Sequence, residues 1–330
     1  MGIITFYNLP CIILNYSTII YRILIILIRI TWLYTVKSEI NTEEIMNCIG
    51  FIGFGLIGGS IAKALKNKLP HLKIIAYTRN HEDTDTAVEE GVVDVALSSI
   101  DNTFSEADII FICTPVKIIL NIMNELKPYL SSNQTVTDVG SVKGYVHKCA
   151  KEVGISDIYI GGHPMAGSEK SGYMAAYSAL FAGKNYIITK NTELSNDPVY
   201  NRKVSRLCEL IALLGCNIVT MDPNEHDYSV AGISHVPHLV SAALVQTVIK
   251  MDTENKDMKR CIATGFTDST RIAASSPEMW SQICLTNRDE ILTVLDGYLD
   301  ILKNIRESVA NEDELAIKKI FQDARDYRNS

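Results

Sequence analysis

This sequence has fewer basic residues than acidic ones. Its 330 residues include 31 lysines and arginines against 38 aspartates and glutamates, which gives a formal net charge of -7. A general nucleic-acid binder needs a basic surface to displace the counterions of the phosphates. We therefore exclude nucleic acid as the partner and expect a small-molecule substrate.

Paired cysteines are also missing. The eight cysteines are scattered along the chain, and none of them has the Cys-x-x-Cys spacing that zinc sites and redox-active sites use. Free cysteine packs as a small hydrophobic side chain in reducing compartments. The sequence therefore predicts buried thiols, a cytoplasmic location and no metal site.

The length of the chain is more than one ordinary small domain needs and is enough for two domains, each with its own core. A hydrophobic fraction of 47% and a charged fraction of 21% are typical of globular proteins. We therefore expect neither wholesale disorder nor a polytopic membrane protein.

The first 46 residues differ from the rest. Residues 1–38 contain no acidic side chain, and residues 18–36 are almost wholly apolar apart from Arg22 and Arg29. A membrane anchor needs about 20 apolar residues, but a central arginine is costly there. A secretory signal would need a basic start and a small-residue cleavage site. We favour a misassigned start, with the natural chain beginning at Met46, over a membrane anchor.

A glycine-rich turn follows the first predicted strand, residues 48–52. Its glycines have the spacing G-x-G-x-x-G, and apolar residues then repeat every four positions as on one helix face. Such a strand, turn and helix lets a pyrophosphate approach the backbone at the helix N-terminus. The predicted cofactor-binding residues of this turn are Gly53, Gly55, Leu56, Ile57 and Gly58.

The next predicted strand, residues 73–77, ends where an NAD-binding protein usually carries an acid for the ribose. Thr78 stands there without a carboxylate, and the adjacent Arg79 could pair with the 2′-phosphate of NADP. The alternative is that Arg79 is an ordinary solvated loop charge. Both NAD and NADP therefore stay open as the cofactor.

Further strands alternate with helical stretches, which predicts a doubly wound α/β sheet of the Rossmann type. Ligands of such sheets lie at the carboxyl ends of the strands, where we expect Thr114 and Pro115 to line the cofactor crevice. The further predicted strands cover residues 108–114, 135–138, 157–161, 186–189 and 217–220.

His163 is the candidate proton acceptor. It follows a predicted strand in the segment GGHPMAG, and its imidazole, with an ordinary pKa of about 6.5, suits the removal of a hydroxyl proton at neutral pH. Ser141 follows the preceding strand and could bond the same hydroxyl or orient the imidazole. The alternative for Ser141 is an ordinary turn serine.

A second polar cluster contains three histidines within thirteen residues, at positions 226, 235 and 238. Zinc is the weaker interpretation because Pro237 interrupts the helical face that would align two ligands. Helix capping and substrate contacts are better interpretations. Further along, Arg271 could clamp a substrate carboxylate with two hydrogen bonds, or it could pair with Asp268.

Five segments in this order resemble the prephenate and arogenate dehydrogenase family: GFGLIGGSIAKAL, TDVGSVKG, GGHPMAGSEKSGY, NEHDYSVAGISHVPH and DSTRIA. The resemblance extends from Met46 to about the C-terminus. The HPMAGSEKSG stretch is highly specific to that family, whereas the glycine turn alone is not, and it argues against other two-domain reductases.

The resemblance implies an enzyme that oxidises and decarboxylates prephenate to 4-hydroxyphenylpyruvate in tyrosine biosynthesis, on a Rossmann domain joined to a helical dimerisation domain. It implies that His163 is the catalytic acceptor of the hydrogen bond from the substrate hydroxyl and that Ser141 is the partner of His163. Arg271 resembles the substrate-carboxylate arginine, and Ser234 and His238 match positions that line the same pocket. Arogenate stays open as the substrate, and a non-catalytic NAD(P)-binding sensor is the alternative from another class.

The domain boundary is predicted near Met221. Residues 47–220 would form the Rossmann domain, and residues 221–330, whose apolar residues repeat with helical period, would form the substrate and dimerisation domain. The apolar stretches 242–249 and 291–305 suit packing between subunits. We therefore expect a homodimer.

Overall fold

The computed structural model describes residues 46–167, 170–252 and 258–330. The expectations about a misassigned start or a membrane anchor concern residues 1–45, which lie outside the described residues. From Asn47 onward the described residues form one packed unit.

Eight strands form one sheet with the order β3-β2-β1-β4-β5-β6-β7-β8. All neighbouring pairs are parallel except β6 and β7, which run antiparallel. The order reverses beside β1, and ligands bind at such a switch point in open α/β sheets. The strands are β1 Cys48–Ile52, β2 Lys73–Tyr77, β3 Val95–Leu97, β4 Ile109–Ile112, β5 Thr135–Asp138, β6 Tyr159–Pro164, β7 Asn185–Thr189 and β8 Asn217–Met221.

Helices form most of the connections between the strands, and the region after β8 is helical. The predicted Rossmann-type fold followed by an all-helical region is confirmed. The α-helices are α1 Leu56–Lys68, α2 His81–Glu89, α3 Ile119–Leu126, α4 Gly144–Val153, α5 Pro198–Ala212, α6 Pro223–Val230, α7 Val236–Asp252, α8 Thr264–Thr270, α9 Pro277–Thr286, α10 Arg288–Ala310 and α11 Glu314–Asn329.

The central strands are buried on both faces, as their continuous apolar sequences require. Phe51 of β1 stacks on Phe111 of β4 with ring centroids 5.3 Å apart. On one side of the sheet, a core that includes Ile112, Met123 and Val146 joins β4, α3 and α4. This rigid centre fixes the strand ends that carry the polar residues.

The strand that carries His163 is longer than expected. The sequence predicts a strand over residues 157–161 with His163 after it, whereas β6 runs from Tyr159 to Pro164 and contains His163. The antiparallel partner β7 explains the difference, because His163 pairs with Ile187 and Pro164 with Tyr186. Pairing across the sheet outweighs the strand-breaking tendency of the two glycines and the terminal proline.

The helical region packs on the sheet domain at two places that matter for the site. Helix α6 lies against the N-terminus of α4, where Asp227 accepts hydrogen bonds from the backbone N–H groups of Lys143 and Gly144 at 2.7 and 2.8 Å. Helix α9 lies against the turn after β4, where Gln282 accepts from the N–H of Lys117. Both contacts bring helical residues to the carboxyl ends of the strands.

One helical stretch of the described chain, Pro223–Asp252, is long and apolar enough by length and composition alone to cross a membrane. It comprises α6, a π-helical turn over Ala231–His235, and α7. Only 17% of its most apolar window is buried within the single chain. Exposed apolar surface of this kind is typical of sites that contact another protein or a membrane.

Candidate functional site

The glycine turn between β1 and α1 requires glycine at two of its three positions. Gly53 has φ +89°, and a Cβ there would lie 2.7 Å from the carbonyl oxygen of Cys113. A Cβ at Gly58 would lie 2.8 Å from the carbonyl oxygen of Gly53. The first clash would separate β1 from β4, and the second would push α1 away from its strand.

The turn also forms an open cradle for an anion. A Cβ at Gly55 would meet nothing closer than the backbone of Gly172 at 3.9 Å. Helix α1 has no capping side chain and no acidic residue in its first turn, so its first N–H groups are available. Leu56 is buried and Ile57 half-buried, which holds the helix end in place. These residues fit the pyrophosphate of a dinucleotide.

The neighbouring strand ends complete the cofactor crevice. The N–H of Gly53 donates to the carbonyl of Tyr77 at 2.8 Å, so the half-buried Thr78 and the exposed Arg79 follow directly beside the turn. Thr114 and Pro115 follow β4 on the other side of β1. The hydroxyl of Thr114 is buried and has no partner among the described residues, so it is available to a ligand in the crevice.

Tyr173 ties the segment after β6 to the nucleotide turn. Its fully buried ring stacks on Phe54 with centroids 5.4 Å apart, and the ammonium of Lys63 lies 4.3 Å from the ring centroid. Its hydroxyl donates to Glu90 at 2.6 Å. This hydrogen bond, together with Lys63, lowers the pKa of Glu90. The nucleotide turn and the segment that follows β6 are therefore joined by the contacts of Tyr173.

His163 lies in a buried chain of polar groups. Its Nδ1 is 2.8 Å from Nε2 of His226, and Nδ1 of His226 is 2.7 Å from a carboxylate oxygen of Asp227. Burial lowers the pKa of His163 well below its usual value, and His226, Lys143 and His235 lower it further. The imidazole is therefore neutral at physiological pH and can accept a proton.

Ser141 occupies the loop between β5 and α4 and is half-buried. The Nδ1 of His163 is turned toward His226 rather than toward Ser141. His226 thus bonds the imidazole at Nδ1. Both roles suggested for Ser141, orienting the imidazole and bonding the substrate hydroxyl, stay predictions.

Asp138, at the end of β5, links the segments around His163 through hydrogen bonds. One carboxylate oxygen accepts from the hydroxyl of Tyr159 at 2.7 Å and from the N–H of Gly162 at 3.3 Å. The other accepts from the N–H of Gly140 at 2.8 Å and from the ammonium of Lys143. Lys143, which has no exposed surface, also donates to the carbonyl of Gly162 at 2.6 Å. The network fixes the ends of β5 and β6 relative to α4.

Trp280 contacts two histidines, His235 at the end of the π-helical turn and His238 on α7. His238 stacks on the indole with centroids 3.8 Å apart and an interplanar angle of 24°, and its Nδ1 donates to the carbonyl of Ser234. His235 packs edge-on against the same indole, and its Nδ1 accepts from the side-chain amide of Asn287 at 3.0 Å. In the part of the chain that the structure describes, His235 Nε2 and the indole N–H are buried without a partner.

These arrangements decide between the interpretations of the three histidines. His226 bonds Asp227, His235 bonds Asn287, and His238 bonds a backbone carbonyl. Three separate partners favour hydrogen-bonding and packing roles over shared zinc ligation. Arg271 begins a 3₁₀ turn, is exposed, and lowers the pKa of His238, after burial as the larger cause.

Sequence reasoning missed the most informative contact, the one between His163 and His226. The two residues are 63 positions apart, and only the packing of α6 under β6 brings them together. The segment NEHD was noticed, and Asp222 does cap α6 by accepting from the N–H groups of Asn224 and Glu225. The pair Asp222-Pro223 is a helix-start signal, whereas nothing in the local pattern predicts that Asp227, further along α6, bonds His226 and the N-terminus of α4.

Family models match most of this chain. The model described as prephenate dehydrogenase, nucleotide-binding domain, matches residues 61–219. The model described as prephenate dehydrogenase, dimerization domain, matches residues 222–323. The chain belongs to the prephenate dehydrogenase family.

Relatives of this family agree over nearly the same region. The prephenate dehydrogenase of Bacillus subtilis (strain 168) is 38% identical over 289 residues, which cover 87% of this chain and 76% of the relative. The crystal structure of the A. aeolicus prephenate dehydrogenase in complex with hydroxyphenyl propionate and NAD+ has a TM-score of 0.80 at 32% identity, covering 86% of this chain and 97% of that one. The Synechocystis arogenate dehydrogenase has a TM-score of 0.75 at 31% identity, covering 86% and 99%.

Proposed function

We propose that this member of the prephenate dehydrogenase family oxidises and decarboxylates prephenate to 4-hydroxyphenylpyruvate for tyrosine biosynthesis. The observation that carries the proposal is the buried, neutral His163, which lies at the carboxyl end of β6, on the same edge of the sheet as a turn that fits a dinucleotide. Oxidation of an alcohol carbon needs both a proton acceptor and a hydride acceptor, and these two features supply a place for each.

The chemistry assigns one task to each group. The glycine turn would hold NAD or NADP, which would supply the acceptor for the hydride of the hydroxyl-bearing ring carbon. His163 takes the hydroxyl proton and so relieves the positive charge that develops on the oxygen as the carbonyl forms. The bond to the ring carboxylate then breaks, and carbon dioxide leaves because the ring becomes aromatic. The electron pair of that bond passes through the ring to the carbonyl oxygen, which takes the proton back from His163 and becomes the phenol hydroxyl of the product. Ser141 is proposed to donate to the same oxygen.

The substrate side chain is proposed to lie toward the helical region. Arg271 would pair with a carboxylate, and Ser234 and His238 would line the same pocket. The unpartnered donors on His235 and Trp280 support this placement, because a buried donor without a partner is costly unless a ligand bonds to it. Prephenate carries two carboxylates, which suits a site with several donors.

The cofactor preference is proposed to be relaxed. The residue after β2 is Thr78, so no carboxylate stands at that position to repel a 2′-phosphate, and the exposed Arg79 beside it can attract one. We propose that NAD and NADP both bind at the turn formed by Gly53, Gly55 and Gly58.

The protein is proposed to act as a cytoplasmic homodimer. The C-terminal match to a dimerization domain supports the dimer, as do the exposed apolar residues of α7 and α10. The cysteines of the described residues, seven in number, are all free thiols, which supports a reducing compartment.

An assay of prephenate and arogenate, each with NAD and with NADP, tests the function directly. Reduced cofactor is followed by its absorbance and carbon dioxide by its release from labelled substrate. We expect prephenate to be turned over with equal amounts of both products. His163→Asn should lower kcat by about 10²-fold or more with cofactor binding intact, as loss of a proton acceptor usually does.

The assay also separates the alternatives. Preferred turnover of arogenate would assign the chain to the other substrate of the family. Tight binding of NAD or NADP, measured by calorimetry, without turnover of either substrate would indicate a sensor. Near-normal turnover by the His163→Asn variant would remove His163 from the mechanism.

A further inference from the structure

The hydrogen bonds around Asp227 fix the direction of every proton in the chain that ends at His163. Its carboxylate accepts from two backbone N–H groups, those of Lys143 and Gly144, which can only donate. These are the first N–H groups of α4, whose N-terminus favours a negative charge and has no side-chain cap of its own. Asp227 is therefore held as an ionised acceptor.

An ionised Asp227 determines the tautomer of His226. Nδ1 of His226, 2.7 Å from the carboxylate, must carry the proton because the carboxylate has none to give. His226 is fully buried, and burial lowers its pKa despite the opposing effect of Asp227, so the ring stays neutral. Its Nε2 is then left as a lone-pair acceptor.

The acceptor on His226 determines the tautomer of His163 in turn. Nδ1 of His163 lies 2.8 Å from that lone pair and must donate to it. A neutral imidazole has one N–H, so the proton is on Nδ1 and Nε2 keeps its lone pair. Nε2 is on the opposite side of the ring, away from His226.

We propose that His226 and Asp227 are positioning residues which hold His163 in the one tautomer, protonated on Nδ1, that can accept the substrate hydroxyl proton through Nε2. The kinetic part of this inference rests on the proposed function, whereas the tautomer itself does not. Without the relay, His163 could place its proton on Nε2 and would then present a donor where the reaction needs an acceptor. Two adjacent residues of α6 thus determine which ring nitrogen of His163, on β6, can accept a proton.

The test combines two substitutions with a matched control. His226→Leu removes the acceptor for Nδ1 of His163, whereas His226→Gln retains an amide oxygen that can accept. His147→Leu is the control, because His147, a half-buried histidine of α4, contacts the sheet through Thr189 at 2.9 Å and not through His163. Each full-length protein is labelled with ¹⁵N-histidine, and long-range ¹H–¹⁵N spectra report which ring nitrogen carries the proton.

In the unmodified protein we expect His163 to show a protonated Nδ1 and an unprotonated Nε2. His226→Leu should populate the other tautomer and lower kcat by about 10²-fold with little change in KM for prephenate, since only the proton acceptor is affected. His226→Gln should restore the Nδ1 tautomer and most of kcat. His147→Leu should leave the tautomer of His163 unchanged.

Protonation of His163 on Nε2 in the unmodified protein would overturn the inference, even if His226→Leu fails to fold. So would an unchanged tautomer and kcat in the folded His226→Leu variant. Absence of prephenate oxidation by the unmodified protein would refute the proposed function instead and would leave the spectra to decide the tautomer.

Discussion

Arg271 is the residue on which substrate affinity should depend most. Replacing it with alanine removes a charged, two-pronged donor, which is worth about 1.5–3 kcal/mol. We expect Arg271→Ala to raise KM for prephenate by roughly 10- to 100-fold with kcat much less affected. Steady-state kinetics measures both, and Arg271→Lys should fall between because lysine keeps the charge without the fork. An unchanged KM would mean that the guanidinium faces solvent.

Arg79 should affect only one of the two cofactors. Its side chain is exposed beside the glycine turn, where only NADP would present a phosphate. We expect Arg79→Ala to raise KM for NADP about tenfold and to leave KM for NAD unchanged, measured with saturating prephenate. Equal values for NADP before and after the substitution would identify Arg79 as an ordinary surface charge.

At the scale of secondary structure, α10 presents an apolar stripe that the single chain leaves uncovered. Leu292, Leu299, Leu302 and Val309 are 41–59% exposed and recur at helical spacing. Leu299→Asp would bury a charge if this stripe packs against a second subunit. We therefore expect sedimentation to show a mass near that of one 36.6 kDa chain for this variant and twice that for the unmodified protein.

Asn304→Asp is the matched control for that experiment, because it adds the same charge to an exposed position away from the stripe. The control should stay dimeric. A dimeric Leu299→Asp variant would place the subunit contact on another helix.

The secondary structure shows which parts of the fold the sequence could predict. The bounds of β1, β2 and β5 match those expected, because buried parallel strands are short apolar runs bounded by turn residues. Strand β3 was missed, since its three residues are too few for a pattern. Helix α5 begins at Pro198 behind a capping Asp197, and an Asp-Pro pair of this kind is a helix-start signal that the sequence already contains.

The candidate site, like the fold, has a part that the sequence predicts and a part that it does not. The glycine turn was recognisable because its residues are adjacent in sequence, and its geometry fits the expected role. The contact between His163 and His226 was not, because it depends on how α6 packs beneath the sheet. Local sequence patterns identify the segments of the site, whereas tertiary packing determines that His226 is the residue which bonds His163.

At the scale of the whole molecule, buried histidines make stability depend on pH. Burial lowers the pKa of His147 and of His235 to about 4, and it also lowers the pKa of His163 and His226. Unfolding exposes these rings and returns their pKa to about 6.5, so the unfolded chain binds more protons at intermediate pH. The stabilisation is complete above pH 6.5 and is lost as the pH falls from there toward 4.

We expect the free energy of unfolding in urea to decrease from pH 7 to pH 5, by up to about 1.4 kcal/mol per pH unit for each such histidine. The measurements are made at one protein concentration because subunit association also stabilises the fold. His147→Asn should make the dependence shallower. A free energy that stays constant over this range would show that the rings are accessible to protons in the folded state.

The carboxylate of Asp138 has a consequence for how this protein can evolve or be redesigned. Its two oxygens offer about four lone-pair directions, and four donors from four separate residues occupy them. Asparagine would turn an N–H₂ group against two of those donors, and glutamate would need space that the surrounding packing does not leave. Aspartate therefore suits these four donors better than asparagine or glutamate does. We expect changes of substrate or cofactor preference to arise at positions around 138 and not at 138 itself.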